Sequence, residues 1–343
     1  MSVLQLDSRY QLFVGIDVAA TTVTATWQQV GHPSVAPQTI GQTPAGFASR
    51  LKRLQKTGVP AGHTFVCLET TGSYWIALAT TLHHHGYCVS VVNPTHAHHF
   101  AKSHGRRSKT DPVDASLLLR VATIERQPAL WTPPPQVYVQ LWQRLVARDA
   151  LVSMRTQALN HQHALGQWPL VVESVSEQFS QTVEALTEQI ATLEREIAQV
   201  LSESAWQESA RLLQSIPGVG LMTAAWLLVC TLNFTISSTP EALVAYAGRA
   251  PMPRESGTSI RGRPCIGHGG NARLRHAISM ATLSGTRCNP LLKRHYDRLR
   301  AAGKAPKVAR CAAARKLLHL AWAVVTKQCA FDAARFSKEG SGR

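Results

Sequence analysis

Three short apolar runs in the first hundred positions constrain the fold most: Leu12–Val18 (LFVGIDV), His63–Glu69 (HTFVCLE) and Tyr87–Asn93 (YCVSVVN). They have strand length and reach both faces without clear alternation, which is the signature of strands buried on both sides. The β-branched run Thr21–Trp27 follows the first of them closely enough to form a hairpin with it. Helical patterns fill the intervals at Ala45–Lys56 and Trp75–His84. Strands alternating with helices predict an α/β sheet domain. A further helix opens at Asp111 and continues through Ala115–Ile124. Trp131–Pro135, with three consecutive prolines, reads as a linker, so the first domain covers residues 1–130.

The rest of the chain follows a different rule. From Val137 to Leu201 only Pro169 interrupts, and Val183, Leu186, Ile190, Leu193, Ile197 and Val200 step by three or four. This predicts a long amphipathic helix or coiled-coil connector over residues 136–205, packed within its own chain or used for assembly. Residues 206–335 stay helical in pattern, with loops at Pro217–Gly220, Asn233–Pro240 and Gly248–Gly270, and residues 336–343 read as a tail.

Charge follows the same divisions. Residues 1–168 carry 14 basic and 7 acidic side chains, residues 169–248 carry 2 and 9, and residues 249–343 carry 20 and 4. The formal net charge is +16. Such a balance predicts a polyanionic partner held mainly by the last segment, unless that segment is simply a solubilising basic tail. The apolar stretch Leu221–Leu232 is too short to span a bilayer. The N-terminal residues lack signal-peptide features, and the seven cysteines are scattered with no C-x-x-C. A cytoplasmic protein without a disulfide framework or zinc finger is expected. No phosphate-binding G-x-x-x-x-G-K-[ST] loop is present, which argues against ATP-driven work.

Four carboxylates carry candidate chemistry. Asp17 and Glu69 end two of the apolar strands. Asp111 and Asp114, in KTDPVDA, are spaced to share one helical face. Such a set suits two Mg²⁺ ions, which prefer oxygen ligands and stabilise the attacking and leaving oxygens of phosphoryl displacement. Asp111 also suits an N-cap with Pro112 at the first helical position.

A second candidate lies in GRAPMPRESGTSIRGRP (Gly248–Pro264). Ser256 stands among Arg249, Arg254, Arg261 and Arg263, and arginines stabilise a phosphoryl group under attack by a hydroxyl. A phosphoserine link conserves the broken bond, so a strand is rejoined without ATP. Ser259 is the near alternative, and an exposed serine in a phosphate-contacting loop is the plainer reading. SIPGVG (Ser215–Gly220) resembles a helix-hairpin-helix turn in which Gly218 and Gly220 admit a phosphate, or an ordinary turn between helices. The histidines at 83–85, 96, 98, 99 and 104, with Arg106, Arg107 and Lys109, read as a solvated or nucleic-acid-contacting surface rather than a zinc site.

FVGID, CLETTGSY, VSVVNP, SKTDPVDA, SIPGVG, AYAGRAP, RESGTSIRGR and GNARLR occur in this order. The ordered set resembles the DEDD-type insertion-sequence transposases, relatives of the Piv DNA invertase, over residues 12 to 332. The resemblance implies a RuvC-like (RNase H-fold) N-terminal domain, a coiled-coil connector and a helical transposase domain. It places the catalytic D, E, D and D on Asp17, Glu69, Asp111 and Asp114, as ligands of Mg²⁺, and the nucleophile on Ser256. By their charge, the basic residues above and Arg273 and Arg275 in the basic C-terminal segment are candidate nucleic-acid contacts. The resemblance further implies donor and target DNA, a structured bridge RNA as guide, and a tetramer built as a dimer of dimers. In that assembly the carboxylates and the serine come from different protomers. One departure is His268, where the family has lysine. Two other readings of the residues stand beside this one: a junction-resolving nuclease using water as nucleophile, and a non-catalytic nucleic-acid-binding assembly protein.

Overall fold

β1 (Leu12–Val18) is the strand around which the N-terminal sheet is organised. It pairs antiparallel with β2 (Thr22–Gln29) and parallel with β4 (Thr64–Glu69). β3 (Gln38–Gly41) adds antiparallel to β2, and β5 (Cys88–Val92) adds parallel to β4, giving the order β3-β2-β1-β4-β5. The computed structural model describes residues 9–70, 72–103, 110–124, 129–256, 260–267 and 269–338. The chain divides into two units, Met1–Pro133 and Pro134–Arg343.

The first unit buries both faces of its sheet. Leu12, Val14, Ile16 and Val18 pack with α1 (Pro44–Gln55) and α2 (Trp75–His84). Phe13, Phe65 and Cys67 pack with α3 (Pro94–Ser103) and α4 (Asp111–Ile124). This two-sided burial is why the strands read as continuous apolar runs. α1 starts where Thr43 accepts a hydrogen bond from the Gly46 amide at 3.1 Å and Pro44 takes the first helical turn. Its buried positions Phe47, Arg50, Leu51 and Leu54 follow the helical repeat.

Three features depart from the sequence reading. β3, a short polar edge strand, and α3, rich in histidine, carry no apolar signal of their own. α3 forms because Pro94 both stops β5 and suits a helix start, with Asn93 Oδ1 accepting from the Thr95 amide at 2.9 Å. Trp131, expected in a linker, is fixed to the sheet. Its amide donates to Val89 O at 2.8 Å, and its ring meets Trp75 edge-on at 5.5 Å.

The second unit is mostly helical. Instead of one long helix, α5 (Gln136–Leu165) and α6 (Glu173–Glu203) run as a pair joined through Gly166 and Pro169. Proline cannot continue a helix, and the residue before it avoids helical geometry. Leu141, Leu145 and Ala158 of α5 and Ile190, Ile197 and Leu201 of α6 are buried. Arg144–Glu196 (2.8 Å) and Arg148–Glu194 (2.7 Å) link the two helices. Part of the apolar seam expected for assembly is thus covered within the chain.

α7 (Gln207–Gln214) leads through SIPGVG into α8 (Leu221–Thr231), whose residues from Ala224 onward are all buried. α10 (Ala272–Cys288) packs against α8, α11 (Pro290–Ala301) and α12 (Pro306–Thr326) pack against α10, α9 (Pro240–Tyr246) against α12, and α13 (Ala333–Lys338) against α11. Phe336, in the segment expected as a tail, is buried and stacks on Phe331 at 5.9 Å. The expected Gly248–Gly270 loop instead contains a hairpin of β6 (Pro251–Ser256) and β7 (Ile260–Ile266). Its prolines and glycines mask strand alternation, and prolines are tolerated where strands have open edges. Among the described residues, no helix is long and apolar enough to cross a membrane.

Candidate active site

Strand parity brings the first two carboxylates together. Side chains alternate faces along a strand, so Asp17 shares a face with Phe13 and Gly15, and Glu69 shares one with Phe65 and Cys67. Both sets belong to the face covered by α4. Ile16 pairs with Leu68 in the parallel register, so Asp17 and Glu69 sit side by side at the C-terminal ends of neighbouring strands. Both are half-buried.

Gly15 brings the other two. A Cβ built on it would lie 2.8 Å from Leu119 Cα and closer still to Leu119 N and Ala115 O. α4 therefore crosses β1 in direct backbone contact two residues before Asp17. Asp111 and Asp114 occupy the first turn of that helix, immediately before Ala115. The electrostatics of Asp17 record the result. Its carboxyl is pushed up to about 6, first by burial and then by the negative charges of Asp114, Asp111 and Glu69, against a lowering hydrogen bond from the Val18 amide. The four groups share one field, although among the described residues no three His, Cys, Asp or Glu side chains are placed to hold a metal ion as they stand.

Gly15 is a positioning residue absent from the sequence-derived site. A lone glycine inside an apolar strand is the signal that would find it, because it marks close backbone approach. Gly15→Ala is expected to destabilise the protein by about 3 kcal/mol, since the methyl meets backbone that cannot rotate away. Thermal unfolding should show a drop of roughly 6–12 °C. Gly62→Ala, where the added methyl meets open space, should shift the midpoint far less. Equal shifts in the two variants would contradict the close crossing.

The second candidate region lies in the second unit. Ser256 ends β6, its Cα paired with Ile260 of β7, so it stands at the tip end of the hairpin. Arg254 pairs with Gly262, while Arg261 and Arg263 lie along β7. Arg106, Arg107, Lys109, Ser259, His104 and His268 lie outside the described residues.

The remaining basic candidates serve the fold as well as any ligand. Arg249 turns inward: it donates to Arg275 O at 3.2 Å, to Ser279 Oγ, and to Cys311 Sγ at 3.4 Å, with its Nε buried. Arg275 donates to Gly269 O at 2.7 Å. Arg273 pairs with Asp149 of α5 at 2.9 Å and lies over the Trp226 ring at 5.3 Å. Together these three tie the base of the hairpin and the start of α10 to the helical core.

The two glycines of the turn differ. Gly218 has φ +100°, and a Cβ there would stand 2.6 Å from Gly285 Cα, so it permits a helix crossing inside the protein. Gly220 precedes α8 and faces open space. Its surroundings admit an approaching phosphate; those of Gly218 are filled by α10.

Comparison with known proteins gives two family matches. Residues 14–165 match a DEDD-type IS110 transposase model, and residues 210–297 match a model described as transposase of the IS116/IS110/IS902 family. The chain is 30% identical over 322 residues to the pilin gene-inverting protein of Moraxella bovis, covering 93% of this chain and 97% of that protein. The pilin gene-inverting protein of Moraxella lacunata matches at the same identity and coverage. A 43.6 kDa protein of insertion element IS110 from Streptomyces coelicolor is 36% identical over 141 residues, 41% of this chain and 34% of that protein.

Proposed function

Because the chain belongs to the IS116/IS110/IS902 family of transposases, whose members cleave and recombine DNA, we propose that it exchanges DNA strands through a covalent serine–phosphate link assisted by Mg²⁺. The observation that carries this reading is the crossing of α4 over Gly15, which sets the first turn of α4 beside the ends of β1 and β4. The sheet order, with β2 and β3 antiparallel and β4 and β5 parallel to β1, supports an RNase H-like assignment.

The DEDD type of the family implies a divalent metal. The donor set fits one: four carboxylates offer hard oxygen ligands, and the raised Asp17 marks a place where positive charge relieves repulsion. Asp17, Glu69, Asp111 and Asp114 would hold the metal. When bound there, Mg²⁺ would polarise the scissile phosphate.

Ser256 supplies the attacking oxygen. Its Oγ–phosphorus bond forms as the bond from phosphorus to a sugar oxygen breaks, and the serine proton is balanced by the one the departing oxygen takes up. Reversal with a new sugar hydroxyl releases the serine and joins the strands. Arg254, two positions before Ser256 on β6, neutralises the phosphoryl oxygens, and Arg261 and Arg263 of β7 hold the nucleic-acid backbone. The family resemblance extends the reading to a tetramer, a dimer of dimers, in which the carboxylates and the serine come from different protomers. Donor and target DNA are the substrates, and the family resemblance extends the reading to a bridge RNA as guide. A structured non-coding segment beside the gene, with stretches matching the insertion site, is expected.

The deciding experiment is denaturing electrophoresis of the full chain incubated with labelled DNA and Mg²⁺. A protein-linked DNA species is expected. Free 5′-phosphate ends without any protein-linked species would establish water as the nucleophile.

Metal binding gives a separate check. A cation must displace the Asp17 proton at acid pH, so affinity for Mg²⁺ should rise with pH up to about 6 and level off above it. Calorimetry in buffers of different ionisation enthalpy should show proton release at pH 5 that vanishes by pH 8. Proton release independent of pH would contradict the placement of Asp17 among the ligands.

A further inference from the structure

A cavity of about 840 Å³ opens in the second unit between α9, α11, α12 and α13, and the strand chemistry above makes no use of it. Its floor is one face of α12, where Ala312, Lys316, His319, Ala323 and Lys327 recur at helical spacing. The alanines leave depth, and the longer side chains between them bring charge. Arg315 and His295 add to the same wall, and Trp322 supplies a half-buried ring.

Positive charge exceeds negative there, with Arg315, Lys316 and Lys327 against the carboxylate of Glu241 on α9 among the lining residues. Burial lowers the Lys316 ammonium, and the neighbouring Arg298 and Arg294 lower it further. Burial likewise lowers His295, with Lys316 and Arg298 adding to the effect. Among the described residues, neither Arg315 nor Lys316 forms an ion pair. Cations held this way gain most from an incoming anion. The Trp322 indole Nε1 donates to Ser237 O at 3.5 Å, which ties the ring edge to the loop before α9. Phe336, stacked on Phe331, closes the cavity from α13.

We propose that this cavity holds one unstacked nucleotide, its base against Trp322 and its phosphate between Arg315 and Lys316. The volume falls within the roughly 300–1,000 Å³ of pockets that enclose a small organic ligand. A base needs a flat aromatic platform, and a phosphate is met well by a guanidinium. A small carboxylate would use the cations and leave the indole idle, whereas a nucleotide uses both. The nucleotide is either one splayed out of a single strand or a free monophosphate. The site depends on neither the serine nor the carboxylates.

The test uses the full-length Ser256→Ala protein in EDTA, so that strand chemistry cannot contribute. The probe is a short single strand carrying one 2-aminopurine, whose fluorescence falls when it stacks on an aromatic ring. Strong quenching is expected with this strand and none with the same base paired in a duplex. Trp322→Leu should abolish the quenching and weaken binding about tenfold. Arg315→Gln with Lys316→Gln should also weaken it about tenfold and reduce the salt slope by about one. Relief of the quenching by adenosine monophosphate, which does not fluoresce at these wavelengths, would identify a free nucleotide as sufficient; failure to compete would identify the strand. Unchanged quenching in Trp322→Leu overturns the proposal. If that variant does not fold, unchanged affinity and salt slope in the Arg315/Lys316 variant overturn it alone. The DNA-linked adduct is a separate readout, so loss of either reading leaves the other standing.

Discussion

Ser256→Ala is expected to abolish the protein–DNA adduct and to lower strand exchange by about 10⁴-fold or more, because no other group replaces a lost nucleophile. Binding of DNA should persist, since the arginines of the hairpin and the basic C-terminal segment remain. Ser259→Ala is the matched control, three residues away in the same basic segment, and should keep the adduct. An undiminished adduct in Ser256→Ala would remove that residue from the nucleophile's role, and loss in Ser259→Ala alone would transfer the role there. The position of Ser256 at the end of β6 favours it: its backbone is held by pairing with Ile260.

Asp17→Asn should have two opposite effects. Activity should fall by about 10³-fold, the equivalent of about 4 kcal/mol of transition-state stabilisation lost with the metal. The metal-free protein should nonetheless become more stable at neutral pH. Asp17 titrates near 6 in the folded chain, above its ordinary value of 3.8. The folded state therefore binds its proton more tightly than the unfolded state. Stability favours the protonated form below about pH 4, is lost as pH rises through 6, and stays lost above it.

Asparagine has no proton to lose and escapes that cost. Asp17 is only half-buried, so solvent screening reduces the gain to the order of 1 kcal/mol, about 2–4 °C in the unfolding midpoint. Millimolar Mg²⁺ should raise the wild-type midpoint and leave the variant nearly unchanged. A variant less stable than wild type at pH 8 without metal would contradict the repulsive cluster.

Much of the first unit was legible because its strands are buried on both sides and leave unmistakable apolar runs. The edges were not. β3 and α3 consist of polar and histidine-rich segments, recruited by neighbours rather than by their own pattern. Pro169 carried the signal that splits α5 from α6, but the scarcity of other breakers between Val137 and Leu201 suggested continuity. Of the site, the four carboxylates were visible as residue types. Gly15, which decides whether they meet, was hidden in an apolar motif. Arg249 read as a phosphate contact in a loop; its guanidinium in fact bonds into α10 and α12.

Residue identity alone determined the chemistry this chain has to work with: acidic groups ending apolar strands, a serine among arginines, and a basic C-terminal third. Those facts are local, written one side chain at a time. Only the tertiary structure decided which groups act on one another. The convergence of Asp17 with Asp111 and Asp114 depends on a parallel register and on a helix seated against a strand where no Cβ intervenes. Contacts between residues a hundred positions apart are set by packing, and packing leaves no pattern in a window of sequence.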